Sequence, residues 1–210
     1  MSTHVIEVEL RGPLDAADYT RLLSYLEGAG AKPALENRFL IDYSTFIEGI
    51  GGRKLDVRAR ITNGRPEIVI KRGAFGGAAR EEAVAPISST SIGPAVAVLA
   101  LLGYKRGVAC DRGIARYRVG DIEIAVQDVR RFDLPGEIHS RFFEVEIQTD
   151  HAGKLIAETR LREFAAAIGL RIFSSDEWNA YVAVMNAEAN GVYDFDADPL
   201  EKIAKLGTSP

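Results

Sequence analysis

Glu7-Val8-Glu9-Leu10-Arg11 alternates charged and apolar side chains without interruption. Successive side chains of a strand point to opposite faces, so Glu7, Glu9 and Arg11 share one face while Val8 and Leu10 share the other. Two carboxylates so placed repel each other unless water, a base or a cation separates them. A near copy, Glu144-Val145-Glu146-Ile147, lies far downstream. Two readings are open at this point: each stretch is the solvated face of an ordinary amphipathic strand, or the two together supply four carboxylates to a metal site.

Outward from the first strand, Gly12-Pro13 breaks the alternation and Asp15 or a neighbour is placed to cap a helix carrying Leu14, Tyr19, Leu22, Leu23 and Leu26. A second strand is predicted over 33–43. A flexible connection through Gly49, Gly51 and Gly52 leads to a third strand, 54–61. That strand sets Arg58 and Arg60 on one face and Val57, Ala59 and Ile61 on the other. Asn63-Gly64 is a strong hairpin signal, and the return strand carries Lys71 on the face of Glu67 and Val69. A short strand, 80–85, holds Arg80 and Glu82. Ser88 or Ser91 then caps a helix whose body, 95–102, is uniformly apolar and is expected to be well buried.

The second half begins with a basic strand in which Arg106, Arg112, Arg116 and Arg118 share one parity. Gly120-Asp121 turns it into a strand over 122–129, and Pro135-Gly136 turns that into the second acidic strand, 138–148. A helix over 152–168 has Leu155, Ile156, Leu161, Phe164, Ala165 and Ile168 on its apolar side. In a last helix, 176–189, Trp178, Tyr181, Val182 and Met185 form a stripe read as core packing. Residues 1–190 read as one α+β domain of antiparallel strands with helices outside, followed by an acidic tail, 191–210.

The 210 residues are 47% hydrophobic and 27% charged, an ordinary globular composition. A net charge of −4 disfavours a general nucleic-acid or anionic-membrane binder. No apolar run reaches the ~18 residues needed to span a bilayer, and the start lacks a basic region followed by an apolar one, so the cytoplasm is the expected compartment. The single cysteine, Cys110, excludes an intrachain disulfide and reads as packing.

The signs of charge segregate by strand. Acidic pairs occupy the first and last strands, and the strands between carry Arg58, Arg60, Lys71, Arg112 and Arg116. If the sheet curls with these faces inward, the lumen holds buried charges that need compensation. A polyanion with a divalent cation satisfies both sides, because carboxylates hold hard metals and guanidinium or ammonium groups hold phosphates.

Glu7-x-Glu9-x-Arg11, Arg58-x-Arg60, Lys71 after a hairpin and Glu144-x-Glu146 together resemble the CYTH superfamily, the triphosphate tunnel metalloenzymes, over residues 4 to 148. The resemblance implies an eight-stranded antiparallel β-barrel tunnel with helices packed outside. It implies Mg2+ or Mn2+ held by Glu7, Glu9, Glu144 and Glu146, and a triphosphate gripped by Arg58, Arg60 and Lys71, with Arg80 and Glu82 also lining the tunnel. Three positions depart from the family pattern. Arg11 replaces the usual lysine, keeping the charge but losing any capacity as a base. Arg112 stands where the family has lysine, and Ile114 takes its arginine partner's place, which Arg116 would then fill. Gln127 stands where the family has a metal-binding aspartate, unless a bulge turns Asp128 inward. The implied function is hydrolysis of an inorganic or organic triphosphate, with Arg11 and Lys71 acting on the phosphoryl group. The alternatives are a class IV-type adenylate cyclase and a catalytically degenerate nucleotide- or polyphosphate-binding module. The expected partner is tripolyphosphate, ATP or another organic triphosphate, without nucleic acid or membrane, and a homodimer is possible.

Overall fold

The computed structural model describes residues 6–43, 55–74, 77–88, 92–194 and 196–198. Nine strands are present among them: β1 (Ile6–Pro13), β2 (Ala34–Asp42), β3 (Leu55–Thr62), β4 (Arg65–Arg72), β5 (Ala79–Pro86), β6 (Arg106–Val119), β7 (Ile122–Arg130), β8 (Ile138–Thr149) and β9 (Gly191–Asp194). Four helices accompany them: α1 (Ala16–Gly28), α2 (Ile92–Leu101), α3 (Lys154–Ala167) and α4 (Ser175–Glu188). The expected glycine connection at residues 49–52 and the expected cap at Ser91 lie outside the described residues.

The strands follow the order β2-β3-β4-β5-β1-β8-β7-β6, and β6 pairs back onto β2 to close an eight-stranded antiparallel barrel. Hairpin connections account for most neighbours. At the β3–β4 turn, Asn63 and Gly64 both take positive φ, 48° and 73°, as a two-residue hairpin loop matched to the strand twist requires. The two acidic strands, far apart in sequence, become neighbours: Glu9 lies opposite Glu146, Arg11 opposite Glu144 and Glu7 opposite Gln148. The acidic stretch after residue 190 begins with structure, since Gly191–Asp194 pairs with Arg106–Ala109 of β6.

Strict alternation makes two chemically different surfaces. On the outer face of β1, β7 and β8, Val8, Leu10, Ile124 and Val145 pack under Leu22 and Leu26 of α1 and Leu161 of α3. On the outer face of β2 and β3, Ile41, Val57, Ala59 and Ile61 meet Ile92, Val96 and Leu99 of α2. Everything charged on these strands' other face is thereby committed to the lumen. The core lies between barrel and helices, which frees the barrel's interior for polar groups.

Two helices depart from expectation. The apolar α2 is buried on one side only: Val98, Leu101 and Leu102 are 54%, 88% and 70% exposed, because its short contact with β3 and β4 covers a single face. In α3, Ala157, Leu161 and Ala165 face the core, whereas Leu155 and Ile156 are exposed near its first turn. The α4 stripe has a double use. Trp178, Val182 and Met185 pack on Val129 and Phe142, and the same three side chains line one end of the lumen. Ser174 and Glu177 form a capping box that fixes where α4 begins.

The approach of the segment before α4 to the barrel depends on Gly12. The Phe173 amide donates to the Arg11 carbonyl at 2.8 Å, and a Cβ on Gly12 would stand 1.9 Å from the Arg171 carbonyl oxygen and 2.5 Å from the Phe143 ring. Gly12→Ala is expected to destabilise the fold by about 1–3 kcal/mol, the usual range for overpacking, read as a lowered urea midpoint at unchanged slope.

Candidate functional site

The lumen is one cavity of about 480 Å³. All four expected acidic residues, Glu7, Glu9, Glu144 and Glu146, line it, as do Arg11, Arg58, Arg60, Lys71, Arg80, Arg112, Arg116 and Gln127. Period-two alternation on β1, β3, β4, β6 and β8 therefore assigned the inward face correctly. Asp128 is the exception among the candidates. It lies on the outer side of β7, where it accepts from Arg141 Nε at 2.6 Å. The bulge between β7 and β8 falls at Val129/Arg130, after Asp128, so it leaves Gln127 as the inward residue. Arg106 and Arg118, of the same parity as Arg112, lie beyond the lumen at the two ends of β6, paired with Asp194 and Glu123.

Two buried cations stand among the acidic residues. The Arg11 guanidinium pairs with Glu9 and donates from Nε to Glu144 Oε1 at 3.0 Å, while its plane lies 5.0 Å from the Trp178 ring centroid. Lys71 Nζ reaches Glu7 at 2.7 Å, Glu82 at 2.9 Å and Glu9 at 3.7 Å. Gln127 donates its amide to Glu144. On the opposite wall, Arg58 pairs with Asp42 and Asp56, and Arg60 with Glu67 at 2.6 Å; Arg80, on β5 beside β1, reaches both Asp56 at 3.1 Å and Glu9 at 3.6 Å.

On the β1–β8 side the acidities of neighbouring carboxyls diverge. Burial and the charge of Glu9 raise Glu7 and Glu144 above the ordinary carboxylate range. Burial alone would raise Glu9 too, but Arg11 and then Lys71 outweigh it and hold Glu9 well below that range. Glu146 is pushed up to about 7 by burial, Glu9 and Glu123. Adjacent carboxyls of opposite tendency share protons, so this wall has a surplus of oxygen donors. Such hard donors suit Mg2+ or Mn2+ by chemistry. Among the described residues, however, no three are already gathered about a metal position, because Arg11 and Lys71 stand between them.

The sequence reading missed several lumen residues. Arg38 lies inside β2 next to Leu40 and Asp42, where burial, Arg60 and Arg116 lower it to about 10. Its inward parity was available from the alternation Glu36, Arg38, Leu40, Asp42. Asp42 and Asp56 join Glu67, already placed on the face of Lys71, and Glu82, already expected in the tunnel, in bringing acids onto strands that looked basic, so the signs are interleaved more finely than by strand. Asn186 and Asn190 reach the lumen from α4 and its end. No signal in a helical stripe distinguishes that position from core.

The lumen is closed and buried at the α4 end, by Phe142 and Trp178, and it is more open at the other end, where Gln148 and Val84 are exposed. It can thus hold an elongated polyanion along its axis, among cationic and carboxylate groups interleaved around the wall.

Neither a protein-family model nor any curated protein matches the sequence. Solved structures with the same fold do exist. The PH1819 protein from Pyrococcus horikoshii OT3 aligns with a TM-score of 0.60 at 17% identity, over 85% of this chain and 98% of its own. A Vibrio parahaemolyticus protein, provisionally described as an adenylate cyclase, aligns at 0.57 and 18% identity over 79% of this chain and 89% of its own. A chain of the Schizosaccharomyces pombe Mediator head module aligns at 0.54 and 10% identity, over 80% and 97%. The fold is the closed eight-stranded antiparallel barrel that the motifs implied, and one fold found in such different settings does not assign a reaction.

The acidity of Glu146 has a measurable consequence. Its proton leaves the unfolded chain near the ordinary carboxyl value of 4.5 and the folded chain near 7, so the native state loses stability as pH rises between them. Glu146→Gln removes that loss. The variant is expected to gain more thermal stability over the wild type at pH 8 than at pH 5; an equal shift at both would contradict the raised pKa.

Proposed function

We propose that the tunnel binds a triphosphate-containing small molecule together with a divalent cation and hydrolyses a phosphoanhydride bond. The observation that carries this reading is the lumen's composition: one cavity sets Glu7, Glu9, Glu144 and Glu146 on one wall and Arg58 and Arg60 across from them. Buried charges of both signs, in numbers beyond local need, suit a ligand that carries both.

Glu7, Glu9, Glu144 and Glu146, with the Gln127 amide oxygen, would hold Mg2+ or Mn2+, which neutralises phosphoryl oxygens when bound. Arg58, Arg60 and Lys71 grip the phosphoryl groups. Lys71 stays protonated because Glu9 and Glu7 outweigh the effect of its burial, so it and Arg11 act as fixed positive charges and not as bases. Water attacks the terminal phosphorus, the bridging P–O bond breaks, and the leaving phosphate takes the electron pair. The cationic wall stabilises that growing negative charge.

Binding without turnover is the second reading, and it rests on two residues. Arg11 occupies the space between Glu9 and Glu144, and Gln127 brings no charge to the acidic wall. The wild-type protein with Mg2+ or Mn2+ and tripolyphosphate, ATP or thiamine triphosphate is expected to release orthophosphate. Lys71→Ala is expected to slow that release by about 10²–10³-fold, the scale for removing one charge-stabilising donor. Tight binding with no release would establish the binding-only reading, and pyrophosphate with cyclic AMP would establish cyclisation.

A further inference from the structure

Among the described residues, eight cationic side chains line the lumen. Arg11, Arg38, Arg58, Arg60, Lys71, Arg80 and Arg116 each pair with at least one carboxylate. Arg112 makes no ion pair among the described residues, although it is only 6% exposed. Its Nη1 donates to the Asp111 carbonyl at 2.8 Å and its Nη2 to Asn190 Oδ1 at 3.1 Å. The residue directly opposite it across the β2–β6 seam is Arg38, another cation. A buried guanidinium with only neutral acceptors, facing a like charge, lacks the counter-charge that its desolvation requires.

The groups around Arg112 sharpen what would fill the gap. A guanidinium only donates, so Asn190 must turn its oxygen to Arg112 and its amide nitrogen away. That nitrogen donates to Asn186 Oδ1 at 2.8 Å, which in turn leaves the Asn186 NH2 as the free end of the relay. Arg112, Asn190 and Asn186 therefore present N–H groups to the same cavity, and all three line it. A cluster made of donors, one of them charged, selects an acceptor-only anion.

We propose that Arg112, Asn186 and Asn190 form an anion subsite at the α4 end of the tunnel, which takes the innermost phosphoryl group of the substrate. The inference rests on the triphosphate reading above and adds a direction to it. The terminal phosphoryl group enters first and lies against α4, and any organic group is left toward the exposed end near Val84 and Gln148. Asn186 and Asn190 are then determinants of chain length, contributed by the helix that closes the tunnel.

The test is calorimetric titration of the full chain, with Mg2+, by inorganic tripolyphosphate and by pyrophosphate. The wild type is expected to prefer tripolyphosphate by about tenfold, the scale of one additional charge-assisted contact. Asn190→Asp, of the same shape, supplies Arg112 with an internal carboxylate and is expected to collapse that preference to within about twofold. Asn186→Leu, which does not touch Arg112, is expected to reduce the preference as well and covers the case in which the aspartate variant fails to fold. A preference retained in the variants, whether both affinities hold or both fall together, overturns the subsite, as does a wild type that shows no preference. A wild type that binds neither probe overturns the triphosphate reading itself.

Discussion

The seam between β2 and β6 is what turns a twisted sheet into a tunnel. Its register runs from Ala34 opposite Arg116 to Asp42 opposite Val108, and without it the inward faces of eight strands would be one side of an open sheet. Closure removes the sheet edges and, more consequentially, converts a charged surface into a charged interior. The helices on the outside make this possible, since the apolar contacts of Val8, Leu10, Val145 and Leu161 lie outside the barrel and leave its interior to mostly polar and charged groups.

Inside, electrostatics replaces packing as the organising force. Arg11 between Glu9 and Glu144, and Lys71 among Glu7, Glu9 and Glu82, keep the acidic wall from repelling itself apart. Such pairs contribute little net stability when buried, because desolvation offsets attraction. Their use is therefore in function: a ligand carrying both phosphoryl oxygens and a cation can exchange partners with these groups one for one. Arg112 stands outside this internal balance, and so does the donor relay that Asn190 and Asn186 extend from it.

Much of this was legible from alternation. The run Glu7-Val8-Glu9-Leu10-Arg11 identified both faces of β1, and the same period placed Arg58, Arg60, Lys71 and Glu144 inward, because a strand with one apolar core face has no other register. Gln127 rather than Asp128 followed from the same count once the bulge fell after both. What alternation did not reveal was pairing between distant strands. Arg80 reaches Asp56 across an intervening strand through the curvature of the barrel, and Asp42 meets Arg58 through the β2–β3 register, neither of which a local pattern encodes. Helical stripes were less informative still: Trp178, Val182 and Met185 look the same whether a helix packs on a core or stoppers a cavity, and the apolar α2 proved half exposed.

The central claim is that the two walls of the lumen divide one ligand between them, cation to the acidic side and phosphoryl groups to the basic side. A crystal structure of the protein with Mn2+ and tripolyphosphate tests it most directly. The claim predicts an anomalous manganese peak among Glu7, Glu9, Glu144 and Glu146, with phosphoryl density against Arg58, Arg60 and Lys71. Manganese bound elsewhere, or a lumen that holds water alone while Arg11 and Lys71 keep their carboxylate partners, would contradict it.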